Sequence, residues 1–218
     1  MSWLLGPGHR GALQGWASTS VDNLRHHPVG SLVLSAFLTP DHPLAWPTLA
    51  AMGLFSADRV LGPARSALAC GAAHLVGTLV SEGIVAWRVH TGALPPAARH
   101  LTDIGPSYVV VAGLTLTLLA GPASRCRRCR GACVPGTHAA HRSALAAETW
   151  SGRGSLAGSW ARRAVALAGF VVLWPYLFTG LTHWDVSAVG HLVSVTLGTV
   201  AAGLGHLRSR RRVAPATG

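Results

Sequence analysis

Apolar positions along this 218-residue chain gather into runs, separated by short segments that carry Pro, Asp and Arg. The first run, VGSLVLSAFLT at 29–39, is too short to cross a hydrocarbon core of about 30 Å, and Pro40-Asp41-His42-Pro43 breaks it. The second, 44–55, is also short and ends at Asp58-Arg59. Together they predict a re-entrant or interfacial segment followed by one crossing helix over roughly 42–61. Four clearer crossings follow at 64–87, 104–120, 163–182 and 186–207. The pattern thus predicts an all-α membrane bundle with about five transmembrane helices and no soluble domain between them. Ahead of it, residues 1–28 read as a polar, Gly-punctuated tail without the basic-then-apolar order of a secretory signal. Residues 122–162 form a basic loop within the transmembrane domain (29–207), and 208–218 a basic tail.

Composition sharpens the class. Half the residues are apolar, 11% are charged and the mean hydropathy is +0.38, whereas an ordinary soluble domain is about 25% charged. That apolar content excludes disorder. Four Cys in a chain of this length exclude a disulfide scaffold. All eighteen basic residues are Arg and the net charge is +11. On a soluble chain this would suggest nucleic acid, but here the arginines lie between apolar runs, so no nucleic-acid partner is expected. The Arg-only, Ala/Gly-rich usage suggests a high-GC bacterial genome. Fourteen of the eighteen arginines fall in segments 58–65, 122–163 and 208–218, which the positive-inside rule places in the cytoplasm together with the C-terminus. Five crossings then put the N-terminus outside, and the parity predicts a further helix upstream of this sequence. The expected location is a bacterial plasma membrane, with membrane lipids as surroundings.

Ionisable groups inside such a bundle require a reason, since each costs at least about 2.5–3.5 kcal/mol on insertion scales. Ser107 and His191 lie at similar depth near the starts of two crossings. That is the placement a Ser–His dyad needs, an imidazole removing the proton of an attacking hydroxyl. Gly105, Gly190 and Gly198 lie beside them, and small residues let helices approach. The plainer reading has the serine bonded to its own backbone and the histidine facing the interface. His74, Thr78 and Glu82 share one stripe of the second crossing; a structural hydrogen-bond network is the expected role, and an ion or solute carrier the sharper one. Asp103 and Asp185 stand where helix caps belong, or where a carboxylate would orient the imidazole. Cys126, Cys129, Cys133, His138 and His141 have the residue types of a zinc knuckle in a spacing that matches no common module. A basic loop touching lipid headgroups is the expectation there, with no metal or cofactor. Cys70 reads as packing.

Several of these segments resemble one family. GPSYVVVAG at 105–113 is similar to the Gly-x-Ser-Gly segment that opens the fourth helix of rhomboid intramembrane serine proteases, and AVGHLVSVTLG at 188–198 is similar to their sixth. DRVLGPARSAL at 58–68 resembles the segment closing the rhomboid second helix, and His42 falls where rhomboids carry a His at its start. The resemblance is closest to the divergent rhomboid-like membrane proteins of actinobacteria and covers about 29–205. It implies a six-helix core whose first helix is absent here. It also implies a serine peptidase cleaving transmembrane substrates, with Ser107 as nucleophile and His191 as base. His42 and backbone N–H groups near Ser107 would steady the oxyanion. The chain departs from the pattern at Tyr108, where a second Gly is usual, and at Trp46, where an Asn donor is usual. Those departures make a silent rhomboid-like protein that binds transmembrane clients the alternative.

Overall fold

The computed structural model describes residues 6–38, 45–104, 106–119 and 156–211. Among them every regular element is helical: α1 Pro7–Ala17, α2 Val21–His26, α3 Pro28–Ser35, α4 Ala45–Leu61, α5 Pro63–His90, α6 Ser107–Leu119, α7 Leu156–Phe178 and α8 Val186–Arg211. Short 3-10 turns, Pro96–His100 and Thr179–His183, precede α6 and α8. Helix α6 runs through the centre and packs on α4, α5, α7 and α8. One end of the bundle carries Asp103, Ser107 and Asp185; the opposite end carries the turn at Gly62 and the arginines that open α7.

The distribution of side chains is that of a protein whose solvent is lipid. On α3 and in the turn after it, Val29 and Phe37 are 73% and 80% exposed while Ser31 and Ser35 are buried at 0% and 1%. On α5, Leu68, Leu75 and Leu79 face outward while Ser66, His74, Thr78, Ser81 and Glu82 face the interior. Hydrocarbon attracts the apolar face as well as a core would, so polar groups turn inward, where they find partners. Helices α5, Gly158–His183 and Val186–Leu207 are long and apolar enough to span. Of the other two expected crossings, α4 has 17 residues and the described part of α6 has 13. The first short run forms the helix α3, packed against α5.

Two local features set the helix directions. The chain reverses between α4 and α5 at Gly62, whose φ of +85° is open to glycine and strained for other residues, and Pro63 then starts α5 with its fixed φ. Pro175 sits inside α7 near its end; it cannot donate to the carbonyl one turn back, and the helix tightens into the 3-10 turn after Phe178.

Close contact at the arginine half comes from small residues. A Cβ on Gly113 would lie 2.9 Å from the backbone carbon of Gly53, so α4 and α6 cross with their backbones touching. A Cβ on Gly198 would lie 2.9 Å from Thr115, bringing α8 equally close to α6. Ala57, Cys70, Ala73, Ala112, Leu116 and Ala202 fill the core around these crossings. Cys70 is accordingly a packing residue.

Residues 17–21 fall within the segment expected to be a polar tail, yet Ala17, Ser18, Thr19, Ser20 and Val21 are all buried. They form a strap across the Asp103 end. The Asp103 N–H donates to Ser18 Oγ at 2.8 Å, and the Asp103 carbonyl accepts from the Thr19 N–H at 2.9 Å. Helices α1 and α2 flank the strap, and Asn23 Nδ2 donates to the carbonyls of Gly15 and Ser18 at 2.7 and 2.9 Å, closing the turn between them.

Candidate functional site

The register between α6 and α8 is fixed by glycine. A Cβ on Gly190 would fall 2.5 Å from the Tyr108 hydroxyl, and one on Gly77 would fall 3.3 Å from the Tyr108 ring. Tyr108 therefore occupies space that α5 and α8 leave by omitting side chains, and the bulk that departs from the serine motif is absorbed there. Gly190 on α8 therefore faces the outer end of the Tyr108 ring, and His191 and Ser107 are their respective neighbours in sequence.

His191 is buried and held from two sides. Its Nδ1 lies 3.0 Å from the Leu177 carbonyl, one of the carbonyls that the end of α7 leaves without an intrahelical donor. A carbonyl only accepts, so Nδ1 carries the proton and Nε2 presents its lone pair. Nε2 is buried without a hydrogen-bond partner among the described residues. The ring meets Tyr108 edge-on at 5.1 Å between centroids and Phe178 at 6.2 Å.

Ser107 is the first residue of α6 and is partly exposed. No hydrogen bond joins it to His191; the side chain against the imidazole is Tyr108. The Tyr108 hydroxyl donates to Ser81 Oγ at 3.3 Å and also faces Asp103 and Ser187. On its other side lies His74, 6.2 Å between centroids. His74 Nε2 donates to the Leu32 carbonyl at 2.8 Å and lies 3.4 Å from Ser35 Oγ, tying α3 to α5. His74 Nδ1 and Thr78 Oγ1 are buried without partners among the described residues. The stripe His74, Thr78, Glu82 therefore faces the bundle interior along its length.

The two aspartates part company. Asp185 Oδ1 accepts from the Ser187 and Ala188 N–H groups at 2.9 and 3.4 Å, and so caps α8. Asp103 does not cap α6. Thr19 Oγ1 donates to its carbonyl at 3.0 Å and lies 3.4 Å from its Oδ2, so the carboxylate belongs to the strap. Burial raises the Asp103 carboxyl above the usual aspartate range, and the Thr19 hydroxyl and His74 oppose that rise. Arg88 Nη2 donates to the Trp184 carbonyl at 3.0 Å and so anchors the turn that leads into α8. Trp184 itself takes the left-handed conformation, φ 54°.

Of the expected site residues, His42 and Gly105 lie outside the described residues, as do Cys126, Cys129, Cys133, His138, His141 and the side chain of Trp46. Among the described residues no group of three His, Cys, Asp or Glu side chains is arranged to hold a metal ion. Sequence reasoning missed Ser81 and the strap; Ser18-Thr19-Ser20 followed by Asp22 carries the marks of a helix start, which was the available signal.

A family model described as "rhomboid-like protein" matches residues 4–141. The matched stretch includes the strap, Glu82 and Ser107, and ends before His191. No curated protein and no solved structure matches the chain.

Proposed function

Because the chain belongs to the rhomboid-like family of membrane proteins, we propose that it is an intramembrane serine peptidase in which His191 serves as base to Ser107. The observation that supports this most is the state of His191. Its proton is committed to the Leu177 carbonyl, and its Nε2 lone pair is buried and unshared among the described residues. A general base needs that tautomer, held in place by a second group on the far nitrogen. Catalytic hydrogen bonds are often long or unmade before substrate arrives and tighten in the complex.

In the reaction, Ser107 Oγ attacks a peptide carbonyl of a transmembrane substrate while its proton passes to His191 Nε2. The C–N bond then breaks, the imidazolium gives that proton to the leaving amine, and an acyl ester remains on Ser107. Water, deprotonated by the same nitrogen, hydrolyses the ester and restores the hydroxyl. The first N–H groups of α6 have no carbonyl one turn back to bind. They would face the developing oxyanion, with His42 as a further donor. The protein would lie in a bacterial plasma membrane with its C-terminus in the cytoplasm, and the site would open outward.

A second reading rests on a different observation. Tyr108, rather than Ser107, packs against the imidazole, an arrangement that also suits a rhomboid-like protein binding transmembrane clients without cutting them. Reconstitution into liposomes with a panel of single-pass reporter helices separates the two. Peptidase chemistry predicts fragments, located by mass spectrometry near one membrane face, that vanish in Ser107→Ala and in His191→Ala. Client retention without fragments in all three proteins would favour the second reading.

A further inference from the structure

The His191 tautomer rests on a contact between residues 14 positions apart, from Nδ1 on α8 to the Leu177 carbonyl on α7. The chain must reverse within residues 178–185 for the two to meet. It does so through the Thr179–His183 turn, which a pair of backbone bonds closes. The Asp185 N–H donates to the Gly180 carbonyl at 2.9 Å and the Trp184 N–H to the Leu181 carbonyl at 3.2 Å, the six-to-one and five-to-two pair of a Schellman turn. Asp185 then caps α8 with its side chain, so one residue ties the turn to the start of the helix that carries His191. Gly180 allows the closure, because a Cβ there would collide with the Asp185 Cβ.

One residue of this turn has the wrong chemistry for its place. The left-handed position of a Schellman turn is normally glycine, and here it is Trp184, with φ 54°. A Cβ makes that conformation unfavourable by a factor of about ten. Among the described residues no other non-glycine residue has a positive φ. Trp184 is 68% exposed, so packing of its side chain does not hold the backbone there. Arg88, in the last turn of α5, does reach that backbone, its Nη2 donating to the Trp184 carbonyl at 3.0 Å. A strained conformation persists only where its surroundings over-determine it, and the guanidinium brings a rigid, planar donor to that task.

We propose that Arg88 is a positioning residue for His191: by holding Trp184 left-handed it keeps the Leu177 carbonyl on Nδ1 and so keeps Nε2 bare. It acts through the backbone of the turn and not on the imidazole itself. For its effect on catalysis the inference rests on the reading of His191 as a base; the tautomer is measurable without that reading.

Solid-state nitrogen-15 NMR of the full chain in liposomes, at a pH where the imidazole is neutral, tests it. The His191 signals are identified by their loss in His191→Ala. The native protein should show Nδ1 alone protonated. Arg88→Met keeps the stem and removes the donors, so it should show both tautomers. Fluorophosphonate labelling of Ser107 should also slow about tenfold in that variant, the weight of one left-handed residue. Arg88→Lys, which can still donate, should stay close to native in both readouts. Trp184→Gly removes the strain, so Arg88→Met in that background should change neither. A native tautomer retained in Arg88→Met would overturn the proposal, as would an equal loss in the Trp184→Gly background, which would make Arg88 merely structural. Should Arg88→Met not fold, Gly180→Ala opens the same turn without touching Arg88; a native tautomer there would overturn the proposal too. A protein that takes no label yet changes tautomer in Arg88→Met would support the positioning role and overturn only the peptidase reading.

Discussion

The two halves of the bundle are held together by different forces. At the arginine half, α4, α6 and α8 cross with glycines in contact, Gly53 on Gly113 and Gly198 on Thr115, over a core of alanines and leucines. At the Asp103 half, Tyr108 is set among Ser81, His74, His191 and the strap, and the contacts are hydrogen bonds and ring edges. Helices in lipid gain nothing from burying apolar surface against one another, so tight backbone approach is what fixes the first half. The second half is richer in hydrogen-bonding partners, and among the described residues both halves retain buried polar atoms without one, Asp58 Oδ1 and Ser66 Oγ toward the arginine end and His191 Nε2 toward the other. Such groups are costly in hydrocarbon.

The sharpest way to break this contrast is to crowd the close-packed half. Gly113→Val places side-chain atoms on the Gly53 backbone, which cannot give way, and is expected to cost about 3 kcal/mol or more, the upper range for overpacking. A thermal-shift series in detergent reads this as a large loss of folded protein. Next in size is Gly190→Ala, whose Cβ meets the Tyr108 hydroxyl and ring. It should cost about 1–3 kcal/mol and, by pushing the ring onto His191, suppress serine reactivity. In a Tyr108→Ala background the same substitution should cost little, and a double-mutant cycle gives that coupling directly. Additive losses would mean that Tyr108 and Gly190 do not share the space.

Smaller effects sharpen the polar half. Thr19→Val removes the hydroxyl from Asp103 and should cost about 1 kcal/mol, seen as faster tryptic cleavage at Arg25 with the melting temperature of the bundle barely changed. The smallest is a pH dependence. Burial raises the folded Asp103 carboxyl, so the folded state holds that proton more tightly than the unfolded chain. The resulting stability is fully present below the unfolded aspartate value of about 3.9 and is lost as pH rises through the folded one. Melting temperature should therefore fall gently with rising pH over that window, and Asp103→Asn should flatten the slope.

The sequence carried the long helices well, because an apolar run bounded by Arg or Pro has few alternatives in lipid. The expected crossing at 186–207 begins where α8 begins, and that at 64–87 lies within α5. The depth of Ser107 and His191 was legible by counting along their helices. Their surroundings were not. The strap is made by hydrogen bonds between residues 84 and 85 positions apart in the chain, which no local pattern announces, so Ser18 and Thr19 read as a solvated tail. Asp103 looked like a cap for the same reason: its partner is distant in sequence. Asp185, whose partners are two and three residues on, was readable as one. Tyr108 read as an obstruction beside Ser107, since the space for it is supplied by Gly77 and Gly190 on two other helices.

The central claim is that His191 holds a lone pair ready for Ser107. Labelling of the purified protein in liposomes with a fluorophosphonate probe tests it most directly, run beside Ser107→Ala, His191→Ala and the still-folded Thr19→Val. The account predicts covalent labelling of the native protein and of Thr19→Val, mapped to Ser107 by mass spectrometry, and none in the other two. Folded native protein that takes no label, or label that persists in His191→Ala, would contradict it.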